Sequence, residues 1–310
     1  MKTKFKQLAL GGFGGLLQIG LLMSCTNDVQ ESKNVAANDE DITVPTSNNL
    51  TAVSCSQVLY TWTGGGTDHN VGVNATIDDR SCTYDYTQST YGSSYDWGVY
   101  RLLATDDVGS LQTRIERASS TVNNIKTGNY VQITGYCRVL EAGTFTDSYP
   151  ATSMSDKDGT YLIQAKGTHT GGGGSADPAI ALFIAKPVRD SNGDVILNAQ
   201  GKTDSFDIYR EEIVSRGGSG TSGRQLVFIT NVKYNKDFWV DVSTGFDTVN
   251  GTLRHYVKST INGVSSTFTV PEPERALQAK LRMGAYRCHG GSATILWRKG
   301  TTQANFVNNP

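Results

Sequence analysis

The chain has 310 residues, among them 34 glycines and 7 prolines, and a formal net charge of −1 at pH 7. A chain this close to neutral has no overall field to draw in a polyanion, so nucleic acid is not an expected partner. Any anionic ligand must be held by a local cluster of cations.

Residues 1–24 read as a signal peptide, with Lys2, Lys4 and Lys6 ahead of an apolar, glycine-rich run from Leu8 to Met23. The run closes Leu22-Met23-Ser24-Cys25, which resembles a bacterial lipoprotein cleavage site. Cys25 is therefore the expected lipidated first residue. Residues 25–50 are polar and acidic, with Asp39-Glu40-Asp41, and read as a flexible tether. Residues 51–310 are long enough for one large domain, and their basic and acidic side chains are equal in number. Membrane association is expected through the N-terminal lipid alone, in an exported monomer at the outer membrane or cell surface, or secreted.

Cys55, Cys82, Cys137 and Cys288 lie in this domain. In an exported protein they permit two disulfides, with Cys55–Cys82 the preferred local pair. No C-x-x-C occurs, so a zinc site is not expected, and no metal or cofactor is invoked.

From Thr51 onward, short runs rich in Val, Ile, Thr, Tyr and Phe alternate with Gly, Asn, Asp and Ser. Strands are expected at Tyr130–Val139, Gly159–Lys166, Ile180–Ala185, Ser205–Ile213, Gln225–Tyr234, Phe238–Thr244, Leu253–Ile261, Val264–Val270, Ala276–Tyr286 and Thr294–Lys299. Asp190-Ser191-Asn192-Gly193-Asp194 reads as a hairpin tip, and Tyr234–Asp237 and Ile261-Asn262-Gly263-Val264 as further hairpin turns. The apolar stripe from Leu111 to Val122 is too sparse for a helix. Many antiparallel strands without helices imply an all-β fold, a sandwich of two antiparallel sheets or β-jelly roll, in which one sheet can bend over a long groove suited to a polysaccharide.

The strand near the C-terminus carries the chemistry. With a period of two, Gln278, Lys280, Arg282, Gly284 and Tyr286 share one face, and Ala279, Leu281, Met283 and Ala285 the other. The polar face suits an anionic chain, with Gly284 expected to let a ligand approach the backbone and Tyr286 offering a proton. Two further pieces belong with it: Gln112-Thr113-Arg114-Ile115-Glu116-Arg117, and Tyr161-Leu162-Ile163-Gln164-Ala165-Lys166, in which Gln164 and Lys166 share a face.

In this order the three pieces resemble the strands of jelly-roll polysaccharide lyases of the alginate-lyase type. Leu281-Arg282-Met283-Gly284-Ala285-Tyr286 is similar to their Y-F-K-A-G-V-Y strand. Gln164-Ala165-Lys166 stands where Q-I-H would be, and Arg114-Ile115-Glu116-Arg117 is a contracted R-x-E-x-R. Lysine in place of the histidine resembles the ulvan lyases of polysaccharide lyase family 28, which cut a sulfated rhamnose–uronic acid polymer by β-elimination. The resemblance implies an endolytic lyase acting on ulvan. Alginate or another polyuronate, or a non-catalytic glycan-binding role on the same fold, are the alternatives.

Elimination across C4–C5 of a uronate requires neutralisation of the carboxylate, a base for the C5 proton and an acid for the leaving oxygen. Arg117 and Gln164 suit the first role, with Arg117 expected in the groove and the Arg114–Glu116 face as support. Lys166 suits the second, provided its pKa falls from about 10.4 towards neutrality. Tyr286 suits the third. Arg114, His169, Lys280, Arg282 and His289 are the expected substrate-binding residues. His255 and the four tryptophans are expected to serve packing.

Overall fold

The computed structural model describes residues 58–61, 70, 73, 76–79, 95–103, 113–143, 159–171, 178–217, 223–288 and 291–310. The fold follows from strands that are apolar on one face. Along Tyr130–Ala142, half-buried and buried residues alternate through the first seven positions, the signature of a strand with one wet face. The strands in chain order are β1 (Val58–Thr61), β2 (Thr76–Asp79), β3 (Trp97–Leu102), β4 (Arg114–Ala118), β5 (Tyr130–Ala142), β6 (Thr160–Lys166), β7 (Ala179–Pro187), β8 (Ser205–Ile213), β9 (Arg224–Lys233), β10 (Phe238–Val249), β11 (Thr252–Ile261), β12 (Val264–Thr269), β13 (Lys280–Arg287), β14 (Ala293–Arg298) and β15 (Gln303–Val307). A 3-10 turn spans Pro273–Arg275.

Two antiparallel sheets form a β-jelly roll. The eight-stranded sheet runs β1-β2-β4-β13-β6-β7-β8-β9, and the seven-stranded sheet runs β12-β11-β10-β5-β14-β3, with β15 paired to β5. β13 thus sits beside β4 and β6, and strands far apart in sequence become neighbours. One continuous core joins the sheets. Ile115, Ile163, Ala165, Phe183, Leu281, Met283 and Ala285 meet Val131, Ile133, Val139, Val240, Val242, Val257 and Ile295, and burying such side chains contributes about 1.5–3 kcal/mol each. Trp97 and Trp297 are fully buried, as expected, while Trp239 is half-buried edge-on to Tyr136.

The turns obey their residues. Asn262 and Gly263 both have positive φ (50° and 81°), as do Asn250 and Gly251 (51° and 78°), the conformation that Asn-Gly supplies in tight hairpins. At the Asp190 tip, one carboxylate oxygen accepts the backbone N–H groups of Asn192 and Asp194, so this carboxylate is used to close the turn.

Three expectations are corrected. The strand expected from Ala276 begins at Lys280, because Ala276 and Ala279 make only isolated bridges, to His169 and Val122. Cys137 is free and buried, which removes it from the expected pairings. Cys288 is disulfide-bonded; the preferred Cys55–Cys82 pair lies outside the described residues. Gly284 does not serve ligand approach. Its φ is +143°, and a Cβ there would meet the Ile115 carbonyl oxygen at 2.3 Å and the Tyr100 ring at 2.9 Å. It is glycine because β4 and the opposing sheet press on it, at a register shift between Met283 and Tyr286.

Candidate active site

β13 is the spine of the site. Against β4, Tyr286 pairs with Arg114, Gly284 with Glu116 and Arg282 with Ala118. Against β6, Lys280 pairs with Lys166, Arg282 with Gln164 and Tyr286 with Tyr161. Paired residues in an antiparallel sheet point to the same side. Arg114, Glu116, Gln164, Lys166, Lys280, Arg282 and Tyr286 therefore share the face turned away from the core. The same register pairs Arg117 with Met283, a core residue, and Arg117 is fully buried. The register thus places the contracted motif the other way round from expectation: Arg114 stands with Tyr286, and Arg117 lies on the core side.

Glu116 organises the charges. Gln164 Nε2 donates a hydrogen bond to Glu116 Oε1 across β13. Glu116 Oε2 lies 4.0 Å from both Arg114 and Arg282. One carboxylate, 1% exposed, therefore bonds one amide through Oε1 and faces two guanidinium groups through Oε2, beyond hydrogen-bond length. Gln164 has a second amide N–H for a ligand.

Two tyrosines meet on this face, Tyr161 and Tyr286, with ring centroids 5.1 Å apart. The Arg114 guanidinium lies over the Tyr286 ring, 4.0 Å from its centroid, a cation–π contact. Tyr161 differs: its hydroxyl donates to Glu211 Oε2 at 2.6 Å. Burial, and then the Glu211 charge, push its pKa well above the usual phenol value. Tyr161 is a committed donor to Glu211 and a poor acid.

Lys166 and Tyr286 do not adjoin. Lys166 lies five residues along β6 from Tyr161, about 16 Å at strand rise, with Gln164 and Arg282 between. Lys166 and Tyr286 are both 2% exposed and Arg282 is 6% exposed, so the face expected to be wet is buried. Lys280 is half-buried.

His169 lies just past β6 at the Lys166 end. Its Nδ1 is 3.4 Å from Arg275 Nη2, and Arg275 also donates to the Thr170 carbonyl (3.0 and 2.8 Å) and pairs with Glu272. His169 is thus tied to the turn that leads into β13. His289 and Cys25 lie outside the described residues. His255 is fully buried away from the site. Arg216 donates to its Nδ1 (2.8 Å), and Thr244, which donates to the Tyr256 carbonyl, accepts from its Nε2 (3.2 Å). Burial and then the Arg216 charge hold its pKa down to about 3. It packs as a neutral imidazole, as expected. Sequence reasoning missed Tyr161 and Glu211, which only the strand pairing brings to Tyr286, and it understated Glu116.

The chain is similar to known proteins in sequence. An endo-acting ulvan lyase of Formosa agariphila is 44% identical over 240 residues, covering 76% of this chain and 43% of that protein. Ulvan lyase NLR42 of Nonlabens ulvanivorans is 41% identical over 244 residues, covering 76% and 42%. The chain thus spans less than half the length of these curated relatives. Among solved structures, alginate lyase A1-II′ of polysaccharide lyase family 7 overlaps 73% of this chain and 86% of its own, with 12% identity and a TM-score of 0.48, too distant a likeness to speak to chemistry. Residues 36–308 match the family model of the PL28 ulvan lyases, and the chain, with its lysine beside Gln164 and its tyrosine on β13, belongs to that family.

Proposed function

We propose that the protein is an endolytic polysaccharide lyase that cleaves ulvan by β-elimination at a uronic acid. The observation that carries this reading is the single face on which Lys166 and Tyr286 flank Gln164, Arg282 and Arg114. Arg282, Arg114 and the second N–H of Gln164 bind the uronate carboxylate and withdraw charge from it, which acidifies the C5 proton. The neutral amine of Lys166 takes that proton. The C4–O bond breaks as the C4=C5 double bond forms, and Tyr286 gives its proton to the departing oxygen. This leaves Lys166 as ammonium and Tyr286 as phenolate, and a net proton transfer between them restores both.

A lysine base acts only as the free amine, and burial and a neighbouring cation are the conditions that favour this form. Lys166 is buried, and its register partner on β13 is Lys280. Of the two tyrosines, Tyr286 suits the acid role, because Tyr161 is committed to Glu211, and the guanidinium over Tyr286 steadies a phenolate. The leader, the lipidated Cys25, the outer-membrane or surface location and the disulfide framework belong to the same reading of an exported enzyme that meets its polymer outside the cell.

The test uses the purified protein with ulvan, alginate, heparin-type and chondroitin-type polymers, followed by the ultraviolet absorbance of the unsaturated uronate. A rise with ulvan alone supports the proposal. A rise with alginate alone moves the substrate, and retarded migration in an ulvan gel without any rise leaves a binding protein.

A further inference from the structure

Beyond the centre on β4, β13 and β6, the eight-stranded sheet holds a second buried charged pair, Glu211 on β8 and Arg224 at the start of β9. They are 3% and 5% exposed. Glu211 Oε2 is occupied by the Tyr161 hydroxyl, and Arg224 Nη2 donates to the Ala179 carbonyl at 2.8 Å. The two charges face each other at 3.6 Å, Nε to Oε1, just beyond hydrogen-bond length. Arg224 Nε and Nη1 and Glu211 Oε1 are buried without a hydrogen-bond partner. The next pair along β8 is different: Glu212 accepts from Arg210 at 2.5 Å and from Gln225 at 2.7 Å, and Arg210 also donates to Ser266 at 2.8 Å. One pair is closed and its neighbour is held open, although buried polar atoms are normally satisfied.

The open pair is placed to meet a polymer. Ala179, whose carbonyl anchors Arg224, is the register partner of Lys166. Leu226, next but one to Arg224 on β9, is the register partner of Glu211, which pairs with Leu182, which in turn pairs with Gln164, so the pair lies on the same outer face as Gln164. Arg224 and Glu211 are about as buried as Lys166 and Tyr286, and whatever admits a sugar to those admits one here. Two N–H donors beside a carboxylate oxygen match an oxyanion substituent next to a sugar hydroxyl.

We infer that Arg224 and Glu211 form a sugar subsite adjoining the elimination centre. Arg224 binds a sulfate ester or carboxylate, and Glu211 Oε1 accepts a hydroxyl from the same sugar. The inference rests on the lyase reading. Its test is the rate of unsaturated-uronate formation by wild type and Arg224→Gln, on native ulvan and on chemically desulfated ulvan. KM is expected to rise about tenfold with kcat within about twofold, as for loss of a charged hydrogen bond. A KM rise confined to the native polymer identifies sulfate, and one on both polymers identifies the carboxylate. An unchanged KM on both means that water alone fills the pair and overturns the inference. So does a fall in kcat at constant KM, which would mean that Arg224 acts through Tyr161. Should Arg224→Gln fail to fold, Arg224→Lys keeps the charge and loses the second donor group, with a KM rise of about threefold expected. If wild type releases no unsaturated product, the lyase reading fails by itself. Migration of wild type and Arg224→Gln in ulvan gels then still reads the subsite, and equal retardation overturns it.

Discussion

The two sheets keep polar residues on their non-core faces in opposite ways. On β5 and β10 of the seven-stranded sheet, burial alternates, and Gln132, Asp241 and Ser243 are half-buried. Their bonds, such as Gln132 to Asp241 at 2.7 Å and Asn305 to Gln132 at 3.0 Å, exchange readily with water. On β6 and β7 of the eight-stranded sheet every residue is buried, Gln164, Lys166 and Lys186 included. A wet polar group costs the fold little. A buried one costs about 1–3 kcal/mol when unpaired, and more when charged. The eight-stranded sheet carries that load where β4, β13 and β6 meet, which is where the proposed chemistry is placed.

The sharpest way to break the comparison is to remove the reacting groups and spare the fold. Tyr286→Phe keeps the ring against Tyr161 and Arg114 and deletes the proton. Lys166→Met keeps the stem and deletes the amine. Each is expected to lower the elimination rate by about 10²–10⁴-fold, with thermal unfolding within a few degrees of wild type. Initial rates and a melting curve on the same sample check both halves. Residual activity within tenfold of wild type would remove that residue from the mechanism.

Glu116 tests whether the charges on this face depend on one another. Glu116→Ala leaves Arg114 and Arg282 without their shared carboxylate and Gln164 without its acceptor. Breaking a buried pair from one side destabilises by about 3–5 kcal/mol, to be read from urea midpoints at constant slope. Glu116→Gln, which keeps an acceptor for Gln164, is expected to lose less stability but still to lower activity, because both guanidinium groups lose their anchor.

His255 gives a smaller effect with a defined sign. Its pKa is about 3 in the folded protein and about 6.5 in an unfolded chain. Below pH 6.5 the unfolded state takes up a proton that the folded state refuses. Stability from this group is therefore complete above pH 6.5 and is lost as pH falls towards 3, at up to about 1.4 kcal/mol per pH unit. Between pH 7 and pH 5, His255→Gln is expected to lose about 2 kcal/mol less than wild type, measured by chemical denaturation at both values. Parallel losses would mean that His255 is protonated in the folded state.

Sheet content was legible because apolar residues alternate. Ser205–Ile213 was expected in full, and β5, β6, β7, β9, β11 and β14 within a few residues. β1, β2, β3 and β15 were not foreseen. β15 is short and polar, Gln-Ala-Asn-Phe-Val, and forms by pairing with β5, a contact that periodicity cannot report. The site was legible where one strand carries its own pattern, as β13 does with Lys280, Arg282 and Tyr286. It was misread where orientation depends on a neighbour. Arg114-Ile115-Glu116-Arg117 presents one arginine to each side, and only the register with Met283 and Tyr286 decides which shares the face of Tyr286. Tyr161 and Glu211 lie 50 residues apart and become a pair only through the β6-β7-β8 pairing.

The mildest test falls on the other sheet. Gln132→Ala deletes the bond to Asp241 and the acceptor for Asn305, two contacts of the same kind as Gln164 makes with Glu116. On a face open to solvent, water replaces both partners, and the expected change in stability is within about 0.5 kcal/mol, with no change in elimination rate. Gln164→Ala removes a buried donor to a buried carboxylate, and its cost is expected to be about 1.5–3 kcal/mol, together with a loss of activity. The paired measurement separates burial from hydrogen bonding as the source of the difference between the sheets. Equal stability losses at the two glutamines would show that the eight-stranded sheet holds its polar residues no differently from its partner, and the reason for assigning the chemistry to that face would go with it.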